Sequence, residues 1–489
     1  MTFYLRLIAK FRLVSKDWNS KVIPKVHFRN LKHSWSEKCW SISNIHERDK
    51  LKKLLLMGVG GLQFFISEMV VDDELIQLLK NSSTISNVNL LKVETDGQDL
   101  ENFVAIYKNL PGLDTVYLSG YLFKSVSPHI FKSIKHLHLY KFQLEINLLI
   151  HSIDIIQLEE LSLYNEYDDL HTSHNLDPFY LYLSTNKSLQ RLLFDSGHNK
   201  SVMGNFSSLV TLLNTNETLT DITLNAYCND DMASNNQEFS ITNKTVKILN
   251  TQKSRNIPMR WRCESKLQEM EIPYLDLNEL TVIQSYHKSL KSLTIQNTPK
   301  NLECMIKLMK FGSLESLKIK PQLSHPRSTA INDSEFFSAT CANPYIKTIQ
   351  IDSIVQSRYI SQLLRCNHPS LTSLSFVPED HSILPDIKND LMNNKNIQSL
   401  TFRKLLKLFG EEANTMFKII TQILEKNTNI TEFYYPYLYM ETEELAPIFN
   451  RSTSSLLKIA LFKKVDPKLK LLLDNNFIEN VNFSQFNYY

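Results

Sequence analysis

The sequence predicts an α/β chain built as a linear array of repeated strand-and-helix units, and three observations carry that prediction. A short apolar pattern recurs along most of the chain, helical apolar spacing precedes it in several places, and polar, Asn-rich turns join the two. The length, 489 residues, exceeds the roughly 100–200 residues of one ordinary core and suits either several domains or one long array.

The recurring pattern is apolar, two variable, apolar, one variable, apolar. It stands at Ile85/Val88/Leu90, Leu113/Val116/Leu118, Ile134/Leu137/Leu139, Leu158/Leu161/Leu163, Leu189/Leu192/Phe194 and Leu219/Ile222/Leu224. It continues at Leu267/Met270/Ile272, Leu290/Leu293/Ile295, Leu314/Leu317/Ile319, Ile346/Ile349/Ile351, Leu371/Leu374/Phe376 and Ile397/Leu400/Phe402. The last copies are Ile430/Phe433/Tyr435, Leu456/Ile459/Leu461 and Ile478/Val481/Phe483, and a degraded one at Val246/Leu249 has Thr251 as its third anchor. The second and third anchors alternate along a strand, so both point to one face and the residues between and beside them point to the other.

The helices are expected before the strands. Phe206/Leu209/Val210/Leu213, Leu302/Met305/Ile306/Met309 and Phe417/Ile420/Leu424 carry helical spacing. They run into turns such as Asn214–Thr218, Asn393–Asn396 and Asn427–Asn429, where Asn suits left-handed dihedrals and helix ends. Repeats of this kind bury their apolar faces only against their neighbours.

These units resemble the longer leucine-rich repeats of the ribonuclease-inhibitor and F-box/leucine-rich-repeat type. Steps of roughly 21–33 residues, about 26 on average, fall inside or just beyond that family's period. The resemblance covers about residues 81–489 and implies a leucine-rich-repeat solenoid of about sixteen irregular units, a horseshoe with a parallel concave sheet and convex helices. One feature departs from the family. The Asn expected three positions after the third anchor is replaced by Phe142, Glu166, Gly197 and Tyr227, which leads us to expect irregular loops.

Residues 11–24 include Leu13, Val14, Ser15, Lys16 and Trp18 and resemble the second half of an F-box. In that family this half helps to dock a Skp-type adaptor of a cullin–RING ubiquitin ligase. The resemblance places Leu13, Val14, Trp18, Val22, Ile23 and Pro24 on the adaptor-binding side of a helical segment spanning residues 1–30. The family's opening Leu-Pro start is absent from residues 1–10. The segment therefore reads either as an adaptor contact or as a cap over the first repeat, since a solenoid end otherwise exposes its core. Residues 31–80, with Trp35, Trp40, Leu51/Leu54/Leu55 and Leu75/Leu78/Leu79, read as connecting helices with an early, irregular repeat and as part of that cap.

Composition narrows the function classes. Lys plus Arg is 54 against Asp plus Glu 51, a net charge of +3, which gives no reason to expect nucleic acid as a partner. No run approaches the roughly 18 apolar residues of a membrane span. Positive charges at Arg6, Lys10 and Arg12 break up the first residues, so they do not read as a secretory signal, and a cytoplasmic or nuclear chain is expected. Cys39, Cys228, Cys263, Cys304, Cys341 and Cys366 lie far apart and read as reduced, mostly buried thiols. The 10 glycines form no phosphate loop. The stretch from Asp168 to Asp177, with His171 and His174, reads as a solvated loop rather than a metal site. No cofactor is expected, and no catalytic motif stands out.

Function is therefore expected on the concave face. Thr115, Tyr117, His136, His138, Tyr140, Glu160, Ser162 and Tyr164 point there from adjacent strands. Tyr117, His136, His138, Tyr140 and Tyr164 make a candidate protein-binding cluster, because such side chains offer large area with a polar tip. Later strands present Ser292, Thr294, Ser316, Lys318, Thr348, Ser373, Ser375, Ser399 and Thr401, which read as a plain sheet surface. The resulting expectation is a non-catalytic recognition protein: by resemblance a substrate receptor of a ubiquitin ligase, alternatively a repeat scaffold or inhibitor with no ligase link.

Overall fold

The computed structural model describes residues 107–435 apart from 120–126, 132, 141–145, 165–173, 197–201, 226, 230–239, 252–259, 273–274, 296–301, 321–330, 332, 381 and 404–409. Outside that span it describes 40–41, 62–67, 88–94, 458–460, 479–480 and single residues at 77, 80 and 104. Residues 11–24, and with them Leu13, Val14, Trp18, Val22, Ile23 and Pro24, lie outside the described residues. The chain divides into two compact units, Met1–Ser254 and Arg255–Tyr489.

In unit 1 the main ladder runs through β1 (Trp40–Ser41), β2 (Leu62–Ser67), β3 (Val88–Glu94), β4 (Thr115–Ser119), β5 (His136–Tyr140) and β6 (Glu160–Tyr164). After a side strand, β7 (His174–Asn175), it continues through β8 (Arg191–Asp195) and, past β9 (Val202–Asn205), through β10 (Asp221–Asn225). Beyond β11 (Tyr227–Asn229) comes β12 (Ile248–Asn250). Every pairing in this ladder is parallel. Helices α1 (Ile146–Ile156), α2 (Asp177–Thr185) and α3 (Phe206–Thr215) link successive strands, as parallel crossovers require. The ladder reaches back to β1 and β2, within the 31–80 stretch read as connecting helices with an early, irregular repeat.

Unit 2 repeats the plan with β13 (Glu269–Ile272), β14 (Ser292–Ile295), β15 (Ser316–Ile319), β16 (Thr348–Val355), β17 (Ser373–Pro378), β18 (Ser399–Phe402), β19 (Glu432–Tyr434), β20 (Lys458–Ala460) and β21 (Glu479–Asn480). These too pair in parallel, each with the next. The helices are α4 (Leu277–Tyr286), α5 (Glu303–Met309), α6 (Ser334–Ala342), α7 (Ser357–Arg365), α8 (Ile383–Asn393) and α9 (Gly410–Lys426). Each unit is a leucine-rich-repeat array of strand, helix and turn.

The predicted anchors form the core. Leu137, Leu139, Leu161, Leu163, Leu293, Ile295, Leu317, Ile319, Ile349 and Ile351 are at most 1 % exposed. Register corrects two copies. Leu91, not Val88, pairs with Val116, and Lys92 pairs with Tyr117, so the first copy reads Val88/Leu91/Val93. At the other end Asn480, not Val481, stands opposite Ile459. In the first copy apolar residues at adjacent spacings fit either register, and a one-residue slip exchanges the faces of a strand; in the last copy polar Asn480 takes the anchor position that the apolar pattern gave to Val481. In α5 the buried stripe is Cys304/Met305/Leu308/Met309 rather than the expected set, with Leu302 and Ile306 half-exposed.

The family's usual Asn position is empty, yet an amide ladder exists at the opposite end of the strand. Asn216 accepts from Thr218 N at 2.9 Å and Leu219 N at 2.7 Å, while its amide donates to Leu183 O and Asn186 O of the preceding repeat. Asn243 does the same with Thr245, Val246, Leu213 and Asn216. Asn343, Asn394 and Asn427 repeat the device in unit 2. His368 substitutes for Asn, its Nδ1 accepting from Ser370 N and Leu371 N and its Nε2 meeting Asn343 O.

These Asn residues are not left-handed. Asn186 and Asn216 are extended, at φ −66° and −79°, and the described non-glycine residues with positive φ are Gln157 and Asn367. The side-chain amide, rather than a special dihedral, follows α3, α6, α8 and α9 and ties each to the preceding repeat. Asn216, Asn343, Asn394 and Asn427 are all buried, so each bond is made away from competing water.

Unit 1 also carries a second sheet, β7-β9-β11, parallel and one short strand per repeat. Asp177, in the stretch read as a solvated loop, opens α2 and accepts from Asn205 N at 2.7 Å and from the Asn205 amide. Gly204 of β9 lies against the Tyr180 ring, where an added Cβ would come within 2.5 Å of Cε2.

Candidate functional site

Strand register builds the aromatic cluster. Tyr117 pairs with His138 and Ser119 with Tyr140 across β4 and β5, and Tyr140 pairs with Tyr164 across β5 and β6. Parallel strands about 4.8 Å apart set like positions at near-stacking distance. The Tyr117 and His138 rings accordingly stack at 4.0 Å with 6° between planes, and Tyr140 and Tyr164 at 4.7 Å with 5°. Tyr117 joins the two stacks, 6.0 Å from Tyr140. All five predicted residues thus lie on one face of three adjacent strands, but not equally. Tyr117 and His138 are each 7 % exposed and form the floor, while His136, Tyr140 and Tyr164 are half-exposed and available.

Hydrogen bonding fixes the chemistry of the rim. Thr115 donates its hydroxyl proton to Asp114 Oδ1 at 2.8 Å and lies 3.0 Å from His136 Nδ1. A hydroxyl has one proton, so His136 donates from Nδ1. Burial pushes the His138 pKa down to about 4, against the pull of Glu160, whose Oε1 is 3.9 Å from Nε2. His138 is therefore neutral near pH 7, and its buried Nδ1 has no hydrogen-bond partner among the described residues. Glu160 is held by Arg191, whose Nε donates to Oε2 at 2.8 Å. Burial also raises the Tyr164 pKa, partly offset by a bond with Ser162, so its phenol stays protonated. The surface is an uncharged aromatic platform with polar tips and an ion pair at one edge.

The outer face of unit 2 differs from its sequence reading. Among its hydroxyls the fold assembles a charged network from residues the strand pattern left scattered. Lys320 pairs with Glu271, two strands away. Arg403 lies 3.3 Å from Asp352 Oδ1 and donates to Ser375 Oγ at 2.8 Å. Gln350 donates to both Asp352 oxygens at 3.0 and 2.9 Å. Lys318 sits half-buried among them. Glu271 holds the outward position between two anchors of β13, Asp352 follows the last anchor within β16, and Lys320 and Arg403 fall just beyond their strands.

The cysteines also depart from expectation. Of the four described, only Cys304 is buried; Cys263 and Cys341 are half-exposed and Cys366 is exposed. Cys341 at the end of α6 and Cys366 at the end of α7 reach adjacent carbonyls, Gln362 O at 3.9 Å and Leu363 O at 3.0 Å. Interaction between the two thiols draws the Cys366 pKa down to about 7 and raises that of Cys341. One repeat step separates the two, which sequence distance hides. No group of three or more His, Cys, Asp or Glu that could hold a metal occurs among the described residues, and none of their helices is long and apolar enough to cross a membrane.

No protein-family model matches the chain, and no curated protein matches it. Among solved structures it is similar to a chain of the crystal structure of the Rad7 and Elc1 complex in yeast. The two share 11 % identity over 83 % of this chain and 93 % of that one, with a TM-score of 0.38. The leucine-rich-repeat assignment rests on strand register, burial and the amide ladder rather than on that likeness.

Proposed function

We propose that this chain is a non-catalytic protein-recognition module that presents the Tyr140–Tyr164 platform of unit 1 to a partner protein. The stack itself carries the reading. Two parallel tyrosine rings, held by register over a buried Tyr117–His138 floor, are preorganised, so a partner gains contact area with little loss of side-chain freedom. The neighbouring His136 ring and the Glu160–Arg191 pair add polar selectivity.

The finer reading makes the chain a substrate receptor of a cullin–RING ubiquitin ligase, acting in the cytoplasm or nucleus. Its support is the resemblance of Leu13, Val14 and Trp18 to the second half of an F-box; Val22, Ile23 and Pro24 complete the adaptor-facing segment. The test has two arms. The purified chain should retain a Skp-type adaptor and lose it on Trp18→Ala and on Val14→Asp; no retention by the intact chain overturns the ligase reading. Proximity labelling in cells should recover a protein set that Tyr140→Ala and Tyr164→Ala both deplete. An unchanged set, with folding intact by circular dichroism, overturns the platform.

A further inference from the structure

The charged network on unit 2 is unbalanced. Lys318 projects from β15 between Thr294 and Gln350 of the neighbouring strands, and its ammonium has no ion-pair or hydrogen-bond partner among the described residues. Four charged groups act on it: Asp352 and Glu271 favour its charge, while Lys320 and Arg403 oppose it. Those four cancel formally, and they are already matched as Lys320–Glu271 and Arg403–Asp352 pairs. One positive charge remains. Burial lowers the Lys318 pKa, the expected response of a partly desolvated cation without a counter-charge. Around it, Ser316, Thr348 and Ser373 occupy one row of the ladder and Thr294 and Ser375 the next, so hydroxyl donors surround the unmatched ammonium.

We propose that the outer face of unit 2 binds an extended acidic segment of a partner protein, one carboxylate of which pairs with Lys318. Charge complementarity selects the occupant. A single carboxylate cancels the residual charge, whereas a phosphate dianion leaves the site negative beside Asp352 and Glu271. A hydrogen bond between two ionised groups is among the stronger polar contacts, and this one forms where water is partly excluded. The adjacent hydroxyls can take the second carboxylate oxygen and the backbone of an extended chain.

The experiment uses the full chain and a rhodamine-labelled peptide of alternating Glu and Ser, read by fluorescence anisotropy at low salt. The Gln/Ser peptide should bind roughly tenfold more weakly or worse. Lys318→Met should abolish the difference between the two peptides, and Lys318→Arg should keep it, which separates lost charge from lost folding. Lys395→Met, on an exposed turn, and Tyr140→Ala, on the unit 1 platform, should both leave it unchanged. Equal binding of the two peptides overturns the proposal, as does unaltered discrimination by Lys318→Met. An equal loss in Lys395→Met overturns it in favour of diffuse attraction. Tighter, Lys318-dependent binding of a phosphoserine peptide overturns the choice of a carboxylate. Because the platform variant is a separate arm, failure here and failure of the unit 1 reading are distinguishable.

Discussion

The outer faces of the two units are each built on a parallel ladder and are chemically unlike. In unit 1 register partners are aromatic, so strand spacing becomes ring stacking and the surface is neutral, with Tyr140 and Tyr164 uppermost. In unit 2 register partners are Ser, Thr, Lys and Gln, and the organising force is the pairing of charges brought together from different strands. The buried side hardly differs: Leu137 and Leu293 are both fully buried anchors. Repeat architecture thus holds the scaffold constant and leaves the exposed rows free to diverge.

That comparison can be tested from its strongest element down. Leu137→Ala and Leu293→Ala should each cost about 2–5 kcal/mol, because both empty a packed core position. Hydrogen exchange should show the loss concentrated within the mutated unit, as nearest-neighbour stacking requires; an effect spread evenly over both units would erase the distinction between them.

The acid response should separate the faces. His138 titrates near 6.5 when unfolded but about 4 when folded, so between those values the unfolded state binds the extra proton. Stability held by the neutral ring is therefore lost as pH falls from about 6.5 towards 4, by at most about 3 kcal/mol. Exchange protection of β4 and β5, corrected for intrinsic rates, should drop over that window, and His138→Gln should remove this dependence.

The amide ladder should matter equally in both units. Asn216→Ala and Asn394→Ala each leave buried backbone groups unpaired and should cost about 1–3 kcal/mol, measurable as a fall in chemical-denaturation midpoint. The smallest effect is a gain. Thr251, the third anchor of the degraded copy, is fully buried and its hydroxyl has no hydrogen-bond partner among the described residues. Thr251→Val should stabilise unit 1 by roughly 1 kcal/mol.

The strand positions of β4–β6 and β13–β19 were legible because alternation and a fixed anchor spacing repeat along the chain. So was the aromatic cluster, since Tyr117, His138, Tyr140 and Tyr164 occupy outward positions of consecutive copies. Legibility failed where one residue of register was at stake: at Leu91 neighbouring apolar residues satisfy the pattern either way, and at Asn480 a polar residue takes the place the pattern gave to Val481. It also failed for the Asn ladder. The polar turns were visible, but the bonds from Asn216 to Leu183 and from Asn394 to Leu364 join repeats about thirty residues apart.

Tertiary structure alone decided which outward residues are accessible. Tyr117 and His138 share a strand face with Tyr140 and Tyr164 but are sealed beneath neighbouring side chains, a matter of three-dimensional crowding. It likewise decided the charge balance around Lys318 and the meeting of Cys341 with Cys366, since both depend on residues from different repeats. Local periodicity encodes the repeat, because each repeat must bury the same stripe against the next. The sites arise between repeats, where sequence separation carries no information about distance.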